Sequence, residues 1–157
     1  MDIFRLGLGT NIPPHVLNRV LALAGGSEVV FVTGSVTRDE EGVRSGEVYA
    51  FTDDLAIRAT LDSSAFPDSF DGALGAASVR AEAWRRSDLV AVALPEGSGN
   101  PDSAWNYTDG KFAQGAHVRL DYRGGQQIRI VAARAQYESQ SERLDAFLES
   151  LQRDLLS

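Results

Sequence analysis

The sequence predicts a mainly β (α+β) fold: seven antiparallel strands forming a partly open barrel or sandwich, capped by a C-terminal amphipathic helix and preceded by an extra N-terminal helix. Three observations predict it. Apolar and polar residues alternate along successive segments, as in strands with one buried face. Tight turns join many of these segments, and a parallel crossover needs a dozen or more residues, so neighbours so joined run antiparallel. Near the end, Leu144, Phe147, Leu148, Leu151 and Leu155 recur at helical spacing, with Glu142, Arg143, Glu149, Gln152 and Arg153 opposite.

Ile3, Phe4, Leu6 and Leu8 are apolar but interrupted by Gly7 and Gly9, which fits a short strand or a packed arm. Pro13-Pro14 then suits a first helical turn, where an N–H has no helical partner. Val16, Leu17, Val20, Leu21 and Ala24 repeat on one helical face, and Gly25-Gly26 supplies the stop. The period then changes to two. Strands are expected over Val29 to Val36, Gly46 to Phe51, Leu55 to Leu61, Val79 to Trp84, Leu89 to Leu94, His117 to Tyr122, and Ile128 to about Ala133. In the second, Val48 and Ala50 face one way and Glu47, Tyr49 and Phe51 the other. Thr52-Asp53-Asp54 reads as a tight turn, because short Asp side chains can bond back to nearby amides. Gly124-Gly125 reads as a hairpin turn, where positive φ suits the twist of the strands. Ser139 and Glu142 form an S-x-x-E capping box opening the last helix.

The 157 residues make one domain the natural expectation, with an arm and helix over 1–27, a β region over 28–133 and a capping helix over 139–156. With no cysteine, disulfide scaffolds and thiol nucleophiles are excluded; with only His15 and His117, so is an imidazole-rich metal site. No cofactor and no metal are expected. The first residues contain no signal peptide and no membrane-spanning run, so a cytoplasmic location is expected. Fifteen basic against twenty-two acidic residues give a net charge of −7, which disfavours nucleic acid and anionic membranes alike. All the basic residues but Lys111 are Arg, a bias expected of a GC-rich bacterial genome.

Seven such strands closed by one helix, with the segment Gly46-Glu47-Val48-Tyr49-Ala50-Phe51-Thr52-Asp53-Asp54-Leu55 and the ending Leu144 to Leu151, resemble the pleckstrin-homology-like (PH-like) superfold in its bacterial branch. The resemblance covers roughly residues 28 to 156 and implies a binding scaffold. Lipid-binding members of that family use a basic loop between their first two strands. Here the loop Thr37-Arg38-Asp39-Glu40-Glu41-Gly42-Val43-Arg44 carries three acids against two arginines, so phosphoinositide binding is not expected.

No constellation points to catalysis. His117 and Asp121 share a strand face but stand about 13 Å apart at ~3.3 Å per residue. Asp53, Asp54, Asp62, Asp68 and Asp71 match no calcium loop. Gly7-Leu8-Gly9 lacks the continuation of a phosphate loop, and Gly97-Ser98-Gly99 is no nucleophile elbow. The candidate contact residues are Trp84, Arg85 and Arg86 at one turn, and Trp105, Tyr107 and Phe112 in the long polar connection over 95–115. Trp, Tyr and Arg are the side chains that dominate protein-contact energies. The expected function is a non-enzymatic scaffold that binds a protein or peptide, or pairs with itself as a homodimer. A small-molecule binder or a hydrolase-like enzyme using the barrel mouth is the alternative.

Overall fold

The computed structural model describes residues 3–8, 12–38, 40, 43–65, 78–93, 117–131 and 138–157. Among these are three α-helices: α1 (Ile3–Leu8), α2 (Pro14–Ala24) and α3 (Glu138–Leu156). The seven strands are β1 (Phe31–Arg38), β2 (Val43–Phe51), β3 (Leu55–Ala65), β4 (Ser78–Arg85), β5 (Leu89–Ala93), β6 (His117–Tyr122) and β7 (Gln127–Val131). They are antiparallel and form two sheets, β1-β2-β3-β4 and β5-β6-β7, not closed into a barrel. The chain falls into two compact units, Met1–Trp84 and Arg85–Ser157.

In the first unit, cross-strand rows define the face beneath the helices. Val32, Ala50 and Ile57 make one row, Gly34, Val48 and Ala59 the next, and Val36, Gly46 and Leu61 a third. Phe4, Val16, Val20 and Ala24 join these side chains in one apolar core. Each large apolar side chain so buried contributes about 1.5–3 kcal/mol. Helix α2 starts on Pro13-Pro14 and ends at Gly25, whose φ of 61° is left-handed. Its buried stripe, Val16, Val20 and Ala24, is narrower than the sequence pattern, because Leu21 turns outward and is 45% exposed. The first segment is not a strand but a short helix that packs on β1. Its glycine-broken pattern has no strict period, so burial of Phe4 decides its conformation.

The other face of this sheet is also buried at one end. Phe31, Phe51 and Ala56 form a row there, with the Phe31 and Phe51 ring centroids 6.1 Å apart, and Tyr49 follows. The face of β2 that carries Tyr49 and Phe51 is therefore inside as well. The turn after Phe51 is held by Thr52 rather than by the aspartates. Its buried Oγ1 accepts from the Asp54 and Leu55 amides at 3.3 and 3.0 Å, while Asp53 and Asp54 stand in solvent.

In the second unit, Val118, Leu120, Tyr122, Ile128 and Ile130 are buried along one side of β6 and β7. A three-residue loop joins these strands: the Gly125 amide donates to Tyr122 O at 2.9 Å, and Gly125 alone takes positive φ, 86°. Helix α3 buries Phe147, Leu148 and Leu151, leaves Leu144 half-buried, and packs on β5 and the 3₁₀ turn Arg86–Asp88. Side chains of Ser139 and Glu142, the expected capping box, lie outside the described residues.

Gly34 and Gly46 lie on neighbouring strands at φ 144° and 145°, and a Cβ built on them would sit 2.2 Å from Glu47 O and 1.9 Å from Ser35 O. Strain and overpacking each cost about 1–3 kcal/mol, so Gly34→Ala and Gly46→Ala should each lose at least about 2 kcal/mol in urea unfolding. Gly25→Ala meets nothing within 4 Å and should lose only about 1 kcal/mol.

Candidate functional site

The three consecutive residues singled out at the turn go to different places. Trp84 ends the pleat of β4 on the same face as Glu82 and is 8% exposed, with the Arg58 guanidinium 5.5 Å from its ring centroid. Arg85 points to solvent. Arg86, 3% exposed, opens the 3₁₀ turn and is buried within the second unit. Trp105, Tyr107 and Phe112 lie outside the described residues.

Arg86 is a buried cation with partners on α3. Its Nε donates to Asp154 Oδ2 at 2.8 Å, and its Nη2 lies 2.7 Å from the same oxygen and 2.5 Å from Ser150 Oγ. The guanidinium also lies 5.2 Å from the Phe147 ring centroid. Ser150 in turn donates to Phe147 O at 2.6 Å. Charges taken from water are tolerated only with such pairing, and removing one partner strands the other. Burial, reinforced by the Asp154 charge and opposed by Arg86, pushes the Tyr122 phenol well above its ordinary range.

A second polar network crosses β2, β3 and β4. Tyr49 donates to Glu47, and Arg58, opposite Tyr49 in the register, donates through Nε to Glu82 Oε1 at 2.8 Å and through Nη2 to the same oxygen. Burial and then the Glu47 carboxylate push the Tyr49 phenol up. For Arg58, burial opposes the charge, but the Glu82 carboxylate outweighs it and the guanidinium is held above its usual value. A neutral phenol, a paired cation and a stacked indole are suited to holding strands together; none is poised to accept or donate a proton near neutral pH. His15, half-buried at the start of α2, is pushed down by burial and then by Arg19, whose Nη1 donates to His15 O at 3.0 Å. Among the described residues no group of three or more His, Cys, Asp or Glu is placed to hold a metal, and no helix is long and apolar enough to cross a membrane.

One arrangement was not among the sequence candidates. On the solvent side of the three-stranded sheet, Arg119 of β6 stands directly opposite Arg129 of β7, and Asp121 opposite Gln127. Arg119 Nε donates to Asp121 Oδ2 at 3.2 Å and Gln127 Nε2 to Asp121 Oδ1 at 2.8 Å. Arg129 is exposed. A two-residue turn at Gly124-Gly125 would set Arg119 opposite Ile130; the three-residue loop shifts the register by one and opposes the two arginines, and the alternation of Val118, Leu120, Ile128 and Ile130 was the signal that could have shown it.

Asp154→Ala should destabilise the chain by about 3–5 kcal/mol, because it leaves Arg86 buried and unpaired. Arg86→Met combined with Asp154→Leu should recover most of that loss in a urea double-mutant cycle; a double variant as unstable as Asp154→Ala would refute the charge argument. Both phenols should resist alkaline titration. The raised folded pKa leaves stability intact below the unfolded value of about 10, and stability falls as pH climbs beyond it. Of the four tyrosines, two should therefore ionise only with unfolding, and Tyr49→Phe and Tyr122→Phe should each remove one late step from the phenolate absorbance curve.

Comparison with known families finds no family model that matches this chain, and comparison with curated proteins finds no significant match.

Proposed function

We propose that this chain is a PH-like module that works without catalysis, as a scaffold that binds a protein or peptide or pairs with itself. The order of elements supports the PH-like part of this reading: four antiparallel strands, three more, then one amphipathic helix. The observation that carries the scaffold part is where the buried charge goes. Arg86 is tied to Asp154 and Ser150, and Arg58 to Glu82, so these buried and half-buried cations hold elements in place, while Tyr49 is bound to Glu47 on its own strand. A catalytic centre needs convergent groups left poised for a substrate.

The three-stranded sheet has edge strands at β5 and β7, and extended peptides commonly bind by adding a strand to such an edge. The acid-rich loop between β1 and β2 disfavours anionic headgroups, so sedimentation with phosphoinositide vesicles should leave the chain in the supernatant. The decisive test pairs two measurements. Selection of a random displayed-peptide library on the purified chain should enrich a shared motif, or light scattering should give twice the chain mass of 16.9 kDa. A monomer that enriches no motif would overturn the scaffold reading.

A further inference from the structure

We propose that the outer edge of β7 takes an extended acidic segment of another protein as an added strand, with Arg129 reading its carboxylates. The proposal rests on the peptide-binding reading above and names its surface and the chemistry of its partner.

The two edges of the three-stranded sheet differ. At β5 the ladder is broken: Leu89 pairs with Tyr122 and Ala91 with Asp121, so Val90 is an extra residue, bulged out and 54% exposed. Helix α3 packs on that strand as well. Bulges and covering elements are the usual ways a fold protects an edge from further pairing. At β7 neither device is present among the described residues. Its ladder with β6 runs in unbroken register from His117↔Val131 to Asp121↔Gln127, and β6 is the strand it pairs with. The remaining backbone N–H and C=O groups of β7 point away from β6, in the spacing a new strand requires.

The side chains on that edge select by charge. Directly opposed residues on antiparallel strands hold their Cβ atoms about 4.5–5.5 Å apart, and like charges so placed destabilise the pair. Arg119 is offset by Asp121, whereas Arg129 has no acid partner among the described residues. A carboxylate arriving beside Arg129 removes the repulsion and gains a guanidinium whose planar fork matches it. An incoming basic strand meets the like charge of Arg129. An added strand places every second residue on the Arg119 and Arg129 side and the alternate ones on the side of Ile128 and Ile130, which are buried. The segment it fits therefore alternates Glu or Asp with apolar residues. The chain's own net charge of −7 does not prevent this, because exposed charges farther than about 8 Å are largely screened at physiological salt.

The test is fluorescence anisotropy with the full chain and three short labelled peptides: Glu alternating with Val, Lys alternating with Val, and the Glu–Val peptide N-methylated on alternate amides. The Glu–Val peptide should bind, and the Lys–Val and N-methylated peptides should bind at least about tenfold more weakly. Arg129→Glu should lower Glu–Val affinity about tenfold or more without lowering the unfolding midpoint, since the side chain is exposed and a Glu opposite Arg119 relieves the like-charge pair; Arg129→Lys should retain most of the affinity. Failure of the Glu–Val peptide to bind at millimolar concentration, or binding indifferent to Arg129→Glu, overturns the proposal. If the displayed library enriches peptides whose binding ignores Arg129→Glu, the scaffold reading stands and this placement of the site falls.

Discussion

The first unit depends on a strand that is buried on both faces. Along β2, Val48, Tyr49, Ala50 and Phe51 are all inside, although in a pleated strand consecutive residues point in opposite directions. Such a strand must be covered twice. Helices α1 and α2 cover the side carrying Val48 and Ala50, which accounts for Phe4, Val16, Val20 and Ala24 in the same apolar core. On the other side Phe31 and Ala56 flank Phe51, and Tyr49 is brought in with its hydroxyl bound to Glu47. The close approach of β1 to β2 is part of the same requirement. At Gly34 and Gly46 each backbone comes so near its neighbour's carbonyl that no side chain fits.

The second unit answers a different constraint, a cation placed indoors. A guanidinium in the 3₁₀ turn is tolerable only if an acid meets it there, and Asp154, near the end of α3, is that acid. The helix is therefore located by two unlike forces. Phe147, Leu148 and Leu151 give it an apolar face with no strong preference for register. Arg86, bound to Ser150 and Asp154 one helical turn apart, fixes that register, since a slip would leave a buried charge unmatched. The Tyr122 phenol, kept neutral beside Asp154, belongs to the same neighbourhood.

Local patterns made much of this legible, and long-range pairings account for what was not. The alternation of Ile57, Ala59 and Leu61, the proline start and glycine stop of α2, and the stripe of α3 all follow from residues within a few positions of one another. Trp84 and Arg86 were singled out as contact candidates because Trp and Arg dominate protein-contact energies. The partners that bring them inside, or hold cations against them, are remote: Asp154 is 68 residues from Arg86, and Glu82 is 24 from Arg58. The turn at Asp53-Asp54 was placed correctly for a reason that proved incomplete, since the acceptor is Thr52 Oγ1 and the aspartates are merely compatible. Ile3 to Leu8 had no readable period, and only the core that receives Phe4 makes it a helix.

The same contrast bears on where a binding surface can lie. A residue whose charge is matched inside the fold has little left to offer a partner, and by that criterion Arg58 and Arg86 are structural while Trp84 is packing. What remains for recognition is charge that the fold leaves poorly matched on an element that is otherwise well ordered. Arg129 meets both conditions: it is exposed, it faces another arginine rather than an acid, and the ladder beneath it is regular. Regularity matters because a strand can be extended only where its own register is unbroken, and the bulge at Val90 interrupts that on the opposite edge. Charge alone would make β7 a guarded edge, as a lone cation often does. Two opposed arginines change the outcome from general exclusion to selection by sign, because an acidic strand relieves a repulsion that already exists in the free sheet.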